Sequence, residues 1–285
     1  MQRLLSLISA LMMTLAGLAA QVTGDSRAME LIEQARAALG GEKLAKVQGL
    51  SASGTFQREV GDRQVSGELT IDLQLPDKML RTDSMSPMGD ATIVTLVGIN
   101  GDQVLRNTRT IGGGPNMIVR MAPPSGPDGE AQALRNQRAE MTRLVLAFLL
   151  VSPAGMPLDF AYGGEAEADE GKADIVDAKG PGSFAVRLFL DRKSHRPLML
   201  SYRGAAPRMV MQTQRGDAPP AGTPAQPPPP SIANITVYLD DYKSVDGVTL
   251  PHRVVRVIDG ATSEEWTLST VKVNPSFKAD AFSGR

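Results

Sequence analysis

The sequence predicts a mainly β chain with helices (α+β): a curved antiparallel sheet forming a partly open barrel, covered or plugged by helices. Three observations point there. The stretch from Tyr238 to Phe277 reads as strand, turn, strand, turn, strand, with Asp246-Gly247 and Asp259-Gly260 as the turns. Gly reaches positive φ without steric cost and Asp tolerates the left-handed region. Upstream, Gly67, Leu69, Ile71, Leu73 and Leu75 alternate with Ser66, Glu68, Thr70, Asp72 and Gln74. Strict alternation means one buried face and one wet face. Between these regions a helical segment runs from about Gly129 to Val151, and its last eight residues (LVLAFLLV) are apolar nearly all round. Such a helix must be buried. A single sheet of so many strands curls through its own twist, and helices then fill the mouth.

The elements follow in order. Ser26 is the expected N-cap of a first helix, Ala28 to Leu39, stopped by Gly40-Gly41. Met29, Ile32, Ala35 and Leu39 give it an amphipathic face. A turn, Glu42 to Val47, leads to strands Leu50–Val60 and Gln64–Leu75, joined at Gly61-Asp62. Pro76-Asp77 ends the second strand. Lys78–Asp83, Thr92–Ile99 and Gln103–Thr108 come next, the last two joined at Asn100-Gly101. Gly112-Gly113-Gly114-Pro115 reads as a loop rather than a phosphate cradle, because no Lys-Ser/Thr and no helix start follow it. In the long helix Leu134, Met141, Leu144, Val145, Phe148 and Leu149 fall near one side. Strands are then expected at Leu158–Tyr162, Ala173–Asp177, Phe184–Leu190, Pro197–Tyr202 and Arg208–Gln214, with Glu165 to Glu170 as a solvated acidic loop. Asp217 to Ser231 (DAPPAGTPAQPPPPS) is Pro-rich and reads as a solvated, polyproline-like insertion between strands.

The N-terminus indicates export. Arg3 precedes an uncharged run, Leu4 to Leu18, and small residues Gly17 to Ala20 offer a cleavage site near Ala20. The run is shorter than the ~20 residues of a spanning helix. Residues 1–20 are therefore read as a signal peptide, residues 21–285 as a single domain, and the compartment as the periplasm. The chain contains no Cys, so disulfides and N-terminal lipidation are excluded. Its formal net charge is −1, which leaves no basic excess for nucleic acid.

Enzyme readings fare poorly. The two histidines, His195 and His252, lack metal-ligand spacing, and no nucleophile elbow occurs. His195 falls in a turn and His252 at a strand start, both expected at or near the surface. Asp240 and Asp241 are neighbours whose side chains face opposite ways in a strand. The chain is read as a non-enzyme that needs no cofactor or metal.

Several stretches resemble one family. Leu75-Pro76-Asp77-Lys78 with Arg81, followed by Ile99-Asn100-Gly101, is similar to a hairpin region of the outer-membrane lipoprotein-sorting proteins, the LolA-like superfamily. Asp241-Tyr242, Val245-Asp246-Gly247-Val248, Leu250-Pro251, Val271, Asn274-Pro275 and Phe282 resemble its closing strands, and Ala38-Leu39-Gly40-Gly41 resembles the first helix of exported relatives. The resemblance implies an unclosed antiparallel half-barrel whose apolar cavity holds acyl chains. The chain departs from that pattern in its Pro-rich insertion, and the sequence assigns no arginine to the cavity.

Three functions stand side by side: a periplasmic binding or carrier protein for an acyl chain or lipidated polypeptide; a docking or envelope-stress sensor module using the same half-barrel, with an envelope protein as partner; and an enzyme with an unrecognised acidic site. For the first, the expected lining is Leu69, Ile71 and Leu73 from one strand face, Met199, Met209 and Met211 from Met-bearing strands, and Leu144 and Phe148 from the long helix. Met adapts to ligands of varied shape.

Overall fold

The alternating segments pair into one antiparallel sheet of twelve strands. The computed structural model describes residues 25–60, 63–88, 91–112, 128–168, 171–205 and 231–284. The chain runs α1 (Ser26–Leu39), α2 (Glu42–Ala45), β1 (Gly49–Val60), β2 (Arg63–Gln74), β3 (Lys78–Met88), β4 (Ala91–Asn100), β5 (Gln103–Ile111) and α3 (Gly129–Leu149). It continues through β6 (Asp159–Ala168), β7 (Gly171–Gly180), β8 (Phe184–Asp191), β9 (Pro197–Ala205), β10 (Ile232–Val245), β11 (Val248–Ile258) and β12 (Ala261–Val273). The spatial order is β5-β4-β3-β2-β1-β12-β11-β10-β9-β8-β7-β6. Two runs of sequential hairpins therefore meet at one seam, β1 against β12, and among the described residues β5 and β6 are the edges. The sheet curls but does not close, as the sequence predicts.

The alternation reading places the core correctly. Leu69, Ile71 and Leu73 point to one face of β2 and are buried, as are Phe184, Val186, Leu188 and Leu190 of β8. These inner-face residues, with Leu31, Ile32, Ala35 and Leu39 of α1 and Val145, Leu146, Phe148 and Leu149 of α3, form one continuous core. Both longer helices thus pack on the concave face. A smaller core lies on the convex face of β3, β4 and β5, where the C-terminal tail folds back. Phe282 packs there against Leu80, Val94, Leu96 and Leu105. Asn100 and Asn107 donate side-chain hydrogen bonds to the Phe282 and Gly284 carbonyls.

Several local expectations are corrected. Asp25, not Ser26, caps α1: its carboxylate accepts from the Arg27 amide, and also from Tyr162 N of β6. A capping carboxylate of this kind satisfies one orphan donor of the first turn. The turn after Gly41 contains the short helix α2. Glu165 and Glu167 lie within β6, and Glu165 pairs with Arg192 while Glu167 pairs with Lys172, so the acidic run is strand rather than loop there. His252 is buried, its Nδ1 3.0 Å from the Leu250 carbonyl; Pro251 and His252 lie inside β11 rather than at its start. Asp241 has φ 51° and faces His252 without a register pair of its own, while the register continues unbroken from Asp240–Arg253 to Tyr242–Pro251. The signal peptide, the Gly61-Asp62 turn, residues 113–115, the strand Arg208–Gln214 and residues 217–230 of the Pro-rich segment lie outside the described residues.

Candidate functional site

The concave face is covered by α3, and the junction between them is the candidate site. Ile71 and Leu73 of β2 meet Leu144 and Phe148 of α3, with Leu50 and Ala52 of β1 completing the ring. Four of the expected lining residues are thus brought together across elements far apart in sequence. The void they enclose is about 10 Å³, room for one water at most and far below the hundreds of Å³ of a ligand pocket. As it stands the groove is filled by α3. Leu69 lies on the same inner face but packs in the core beside the void. Met199 is a correction: it is in register with Phe189 and Tyr238, while its neighbour Leu200 pairs with Leu188 in the core. Alternation therefore puts Met199 on the convex face. Met209 and Met211 lie outside the described residues.

Farther along the same face is a polar cluster that the sequence reading missed. Glu264 of β12 is 4 % exposed and accepts from Arg58 Nε at 2.9 Å and from Arg81 Nη2 at 2.6 Å. Asp83 of β3 accepts from Arg81 Nε at 2.7 Å and from Arg58 Nη2 at 2.6 Å. Arg256 of β11 stands 3.6 Å from Glu264 and 3.5 Å from Glu140 of α3. Glu140 also accepts from Arg143 at 3.0 Å, whose guanidinium carbon lies 3.9 Å from the centre of the Tyr202 ring. Arg81 lies 4.7 Å above Trp266. β3 and β12 are three strands apart, so it is the curl of the sheet that lets Arg81 reach Glu264.

Burial of the Glu264 carboxyl would push its pKa up, but the Arg81, Arg256 and Arg58 guanidiniums outweigh that and hold it well below the usual carboxylate range. Burial likewise works against the charge of Arg256, and the carboxylates of Glu140 and Glu264 restore it. Gly67 is what makes space here. A Cβ on it would come within 2.9 Å of the Phe56 ring and 2.2 Å of the Ser84 carbonyl oxygen, and Phe56 carries Arg58 on its face at 4.6 Å. The signal was present in the sequence: Phe56 and Arg58, Val254 and Arg256, and Glu264 and Trp266 are two apart, so each charged residue shares the phase of a core residue. Among the described residues no group of three or more His, Asp or Glu could hold a metal ion, and no helix is long and apolar enough to cross a membrane.

In outline the chain is similar to proteins of the LolA superfamily. A LolA superfamily protein from Nitrosomonas europaea matches at TM-score 0.49 and 9 % identity, over 90 % of this chain and 96 % of that one. A putative outer membrane lipoprotein-sorting protein domain from Vibrio parahaemolyticus matches at 0.47 and 10 %, with the same coverages. MucB of Pseudomonas aeruginosa, solved in complex with MucA, matches at 0.22 and 12 %, again over 90 % and 96 %. No family model matches the sequence, and no curated protein matches it. These likenesses concern the outline of the fold; the functional reading rests on the side chains just described.

Proposed function

We propose that the protein binds a ligand bearing an acyl chain against the concave face of the half-barrel, with α3 as a cover that moves aside. One observation carries this reading. The apolar concave face of an open sheet is closed by a helix that, among the described residues, makes no backbone hydrogen bond to any strand. Side chains alone hold α3 there, through the packing of Met141, Val145, Phe148 and Leu149 among others and the ion pairs Glu140–Arg256 and Arg138–Asp102. Each such fully buried side chain contributes about 1.5–3 kcal/mol. An empty, open groove is therefore strongly disfavoured, and a chain of methylenes is the kind of ligand that replaces those contacts in kind. Strand ladders would survive the exchange untouched.

The test is uptake of a fluorescent long-chain fatty acid at micromolar concentration, followed in wild type and in Leu73→Trp. Leu73 is 1 % exposed and lines the void against Leu144 and Phe148. The larger ring should block uptake and, by overpacking the closed form, cost about 1–3 kcal/mol of stability. Wild-type protein that takes up no acyl probe overturns the proposal.

A second reading, a protein-docking module, draws on the convex face. Phe189, Met199, Tyr238 and Val255 are in register across β8 to β11, and Tyr238 is 44 % exposed while the other three are half-buried. Contiguous apolar surface of this sort marks interaction sites. Acyl uptake by wild type favours the first reading over this one.

A further inference from the structure

The polar cluster on the concave face has an imbalance that packing does not explain. Four arginines of the cluster (Arg58, Arg81, Arg143 and Arg256) and Arg106, two strands beyond Arg81, stand against three carboxylates (Asp83, Glu140 and Glu264). Arg106 lies on the inner face of β5, in register through Val97 with Arg81. It has no hydrogen-bond or ion-pair partner among the described residues. Four of the six orphaned buried side-chain atoms among the described residues point the same way. Arg106 Nε, Arg143 Nε, Arg256 Nε and the Trp266 indole nitrogen are all buried N–H donors without an acceptor among the described residues. Buried donors are nearly always satisfied, and each exception asks for an explanation. Donors without acceptors, in a field of surplus positive charge, ask for a ligand that only accepts: an anion.

The position of Glu140 sharpens this. The sheet alone contributes Arg58, Arg81, Arg106 and Arg256 against Asp83 and Glu264. Those two carboxylates are engaged by Arg58 and Arg81, with hydrogen bonds of 2.6–2.9 Å. Arg256 is left with contacts of 3.5 and 3.6 Å, outside the 2.7–2.9 Å of a charge-assisted hydrogen bond. Its nearer partner, Glu140, belongs to α3, the element that must move for the groove to open. When α3 leaves, the sheet keeps two uncompensated guanidiniums beside an apolar trough.

We propose that Arg256, beside Trp266, and Arg106, farther along the same concave face, recognise the anionic headgroup of an amphiphile, a carboxylate or phosphate, and that the Glu140 carboxylate holds that place at Arg256 while α3 covers the groove. The proposal rests on the acyl-chain reading and names its ligand class. A headgroup that replaces Glu140 keeps Arg256 paired as α3 moves and gives Arg106 an acceptor, whereas a neutral amphiphile leaves both without one. An unpaired buried charge is strongly unfavourable, so the cluster selects the acidic ligand.

The experiment compares palmitate with 1-hexadecanol, the same chain with a neutral head, by calorimetric titration, with emission from Trp266 as the reporter inside the site. Trp266 is the single tryptophan of the chain. Wild type should bind palmitate about tenfold more tightly than the alcohol, the scale of one charge-assisted hydrogen bond. Glu140→Gln should tighten palmitate by removing the internal competitor. Arg256→Gln and Arg106→Gln should each lose the preference and keep the affinity for the alcohol. Arg106 has no partner to lose among the described residues, so its variant tests the proposal even where Arg256→Gln disturbs folding; an Arg106→Gln protein that keeps the full preference overturns it. Equal binding of both amphiphiles by wild type overturns headgroup recognition and leaves the acyl reading standing. Binding of neither ends both. A matching Trp266 response to acetate or inorganic phosphate alone, at the same concentration, reassigns the site to a free anion and overturns the amphiphile.

Discussion

Glu264→Gln probes the cluster most directly. The substitution keeps the shape of the side chain and removes one negative charge from a group that is 4 % exposed. Glu264 accepts from Arg58 at 2.9 Å and from Arg81 at 2.6 and 3.3 Å, with Arg256 at 3.6 Å. After the change, those three guanidiniums face only Asp83 and Glu140, and Glu140 is shared with Arg143. The guanidiniums are 17–19 % exposed, so water screens them little. Removing one partner of a buried pair costs about 3–5 kcal/mol, which for a domain of this size lowers Tm by about 6–20 °C. The pH dependence has a definite sign. The folded carboxyl titrates below its ordinary value of 4.5, so its charge stabilises the fold at every pH above that value. The contribution is lost as pH falls through the depressed range. Urea unfolding of both proteins should show a constant gap near neutral pH that narrows once pH drops below 4.5. A loss under about 1 kcal/mol, the worth of an exposed pair, or a gap that does not narrow in acid, would refute the reasoning.

Two further outcomes are expected. Asn274, at φ 50°, accepts from the Gln48 and Gly49 amides at 2.6 and 3.2 Å and donates to the Lys46 carbonyl at 3.1 Å; Asn274→Ala should cost about 1–3 kcal/mol in urea unfolding, and Asn274→Gly should recover only the part due to backbone strain. Phe282→Ala should free the C-terminal tail from Leu80, Val94, Leu96 and Leu105, so that limited proteolysis trims the tail while the circular dichroism of the sheet is unchanged.

Much of the fold was legible because alternation is a local signal. Leu69, Ile71 and Leu73 announce a buried face without reference to any other strand, and the apolar LVLAFLLV segment announces a buried helix. Asp246-Gly247 and Asp259-Gly260 announce their turns, and all four residues have positive φ. The apolar ring of the site followed from these faces. The arginine cluster did not, because it depends on which strands are neighbours and on how far the sheet curls. Arg58 and Glu264 are 206 residues apart, and nothing local pairs them. Met199 failed for another reason: composition suggested a Met-lined wall, but the β-bulge between the pairs Phe189–Met199 and Leu190–Pro197 sets which face it takes. Asp25 was missed as a cap because Ser26 beside it is an equally good capping residue type.

The seam between β1 and β12 bears on how the molecule assembles. Ten of the eleven strand pairings join consecutive strands in the chain, and most of those close over short connections. The eleventh must close a loop of 206 residues at the Arg58–Glu264 pair. Relative to a two-residue hairpin, the closure entropy in a disordered chain rises by (3/2)RT ln(206/2), about 4 kcal/mol. Each arm can grow by zipping one hairpin onto the next, whereas the joint waits for both arms, and non-local pairing of this kind is slow. The Glu264 ion cluster straddles that joint, with Arg58 and Arg81 from one arm and Arg256 from the other. Charges that are costly to bury singly are thus brought together by the last ladder to form, and until it forms the protein is two ribbons with no shared trough.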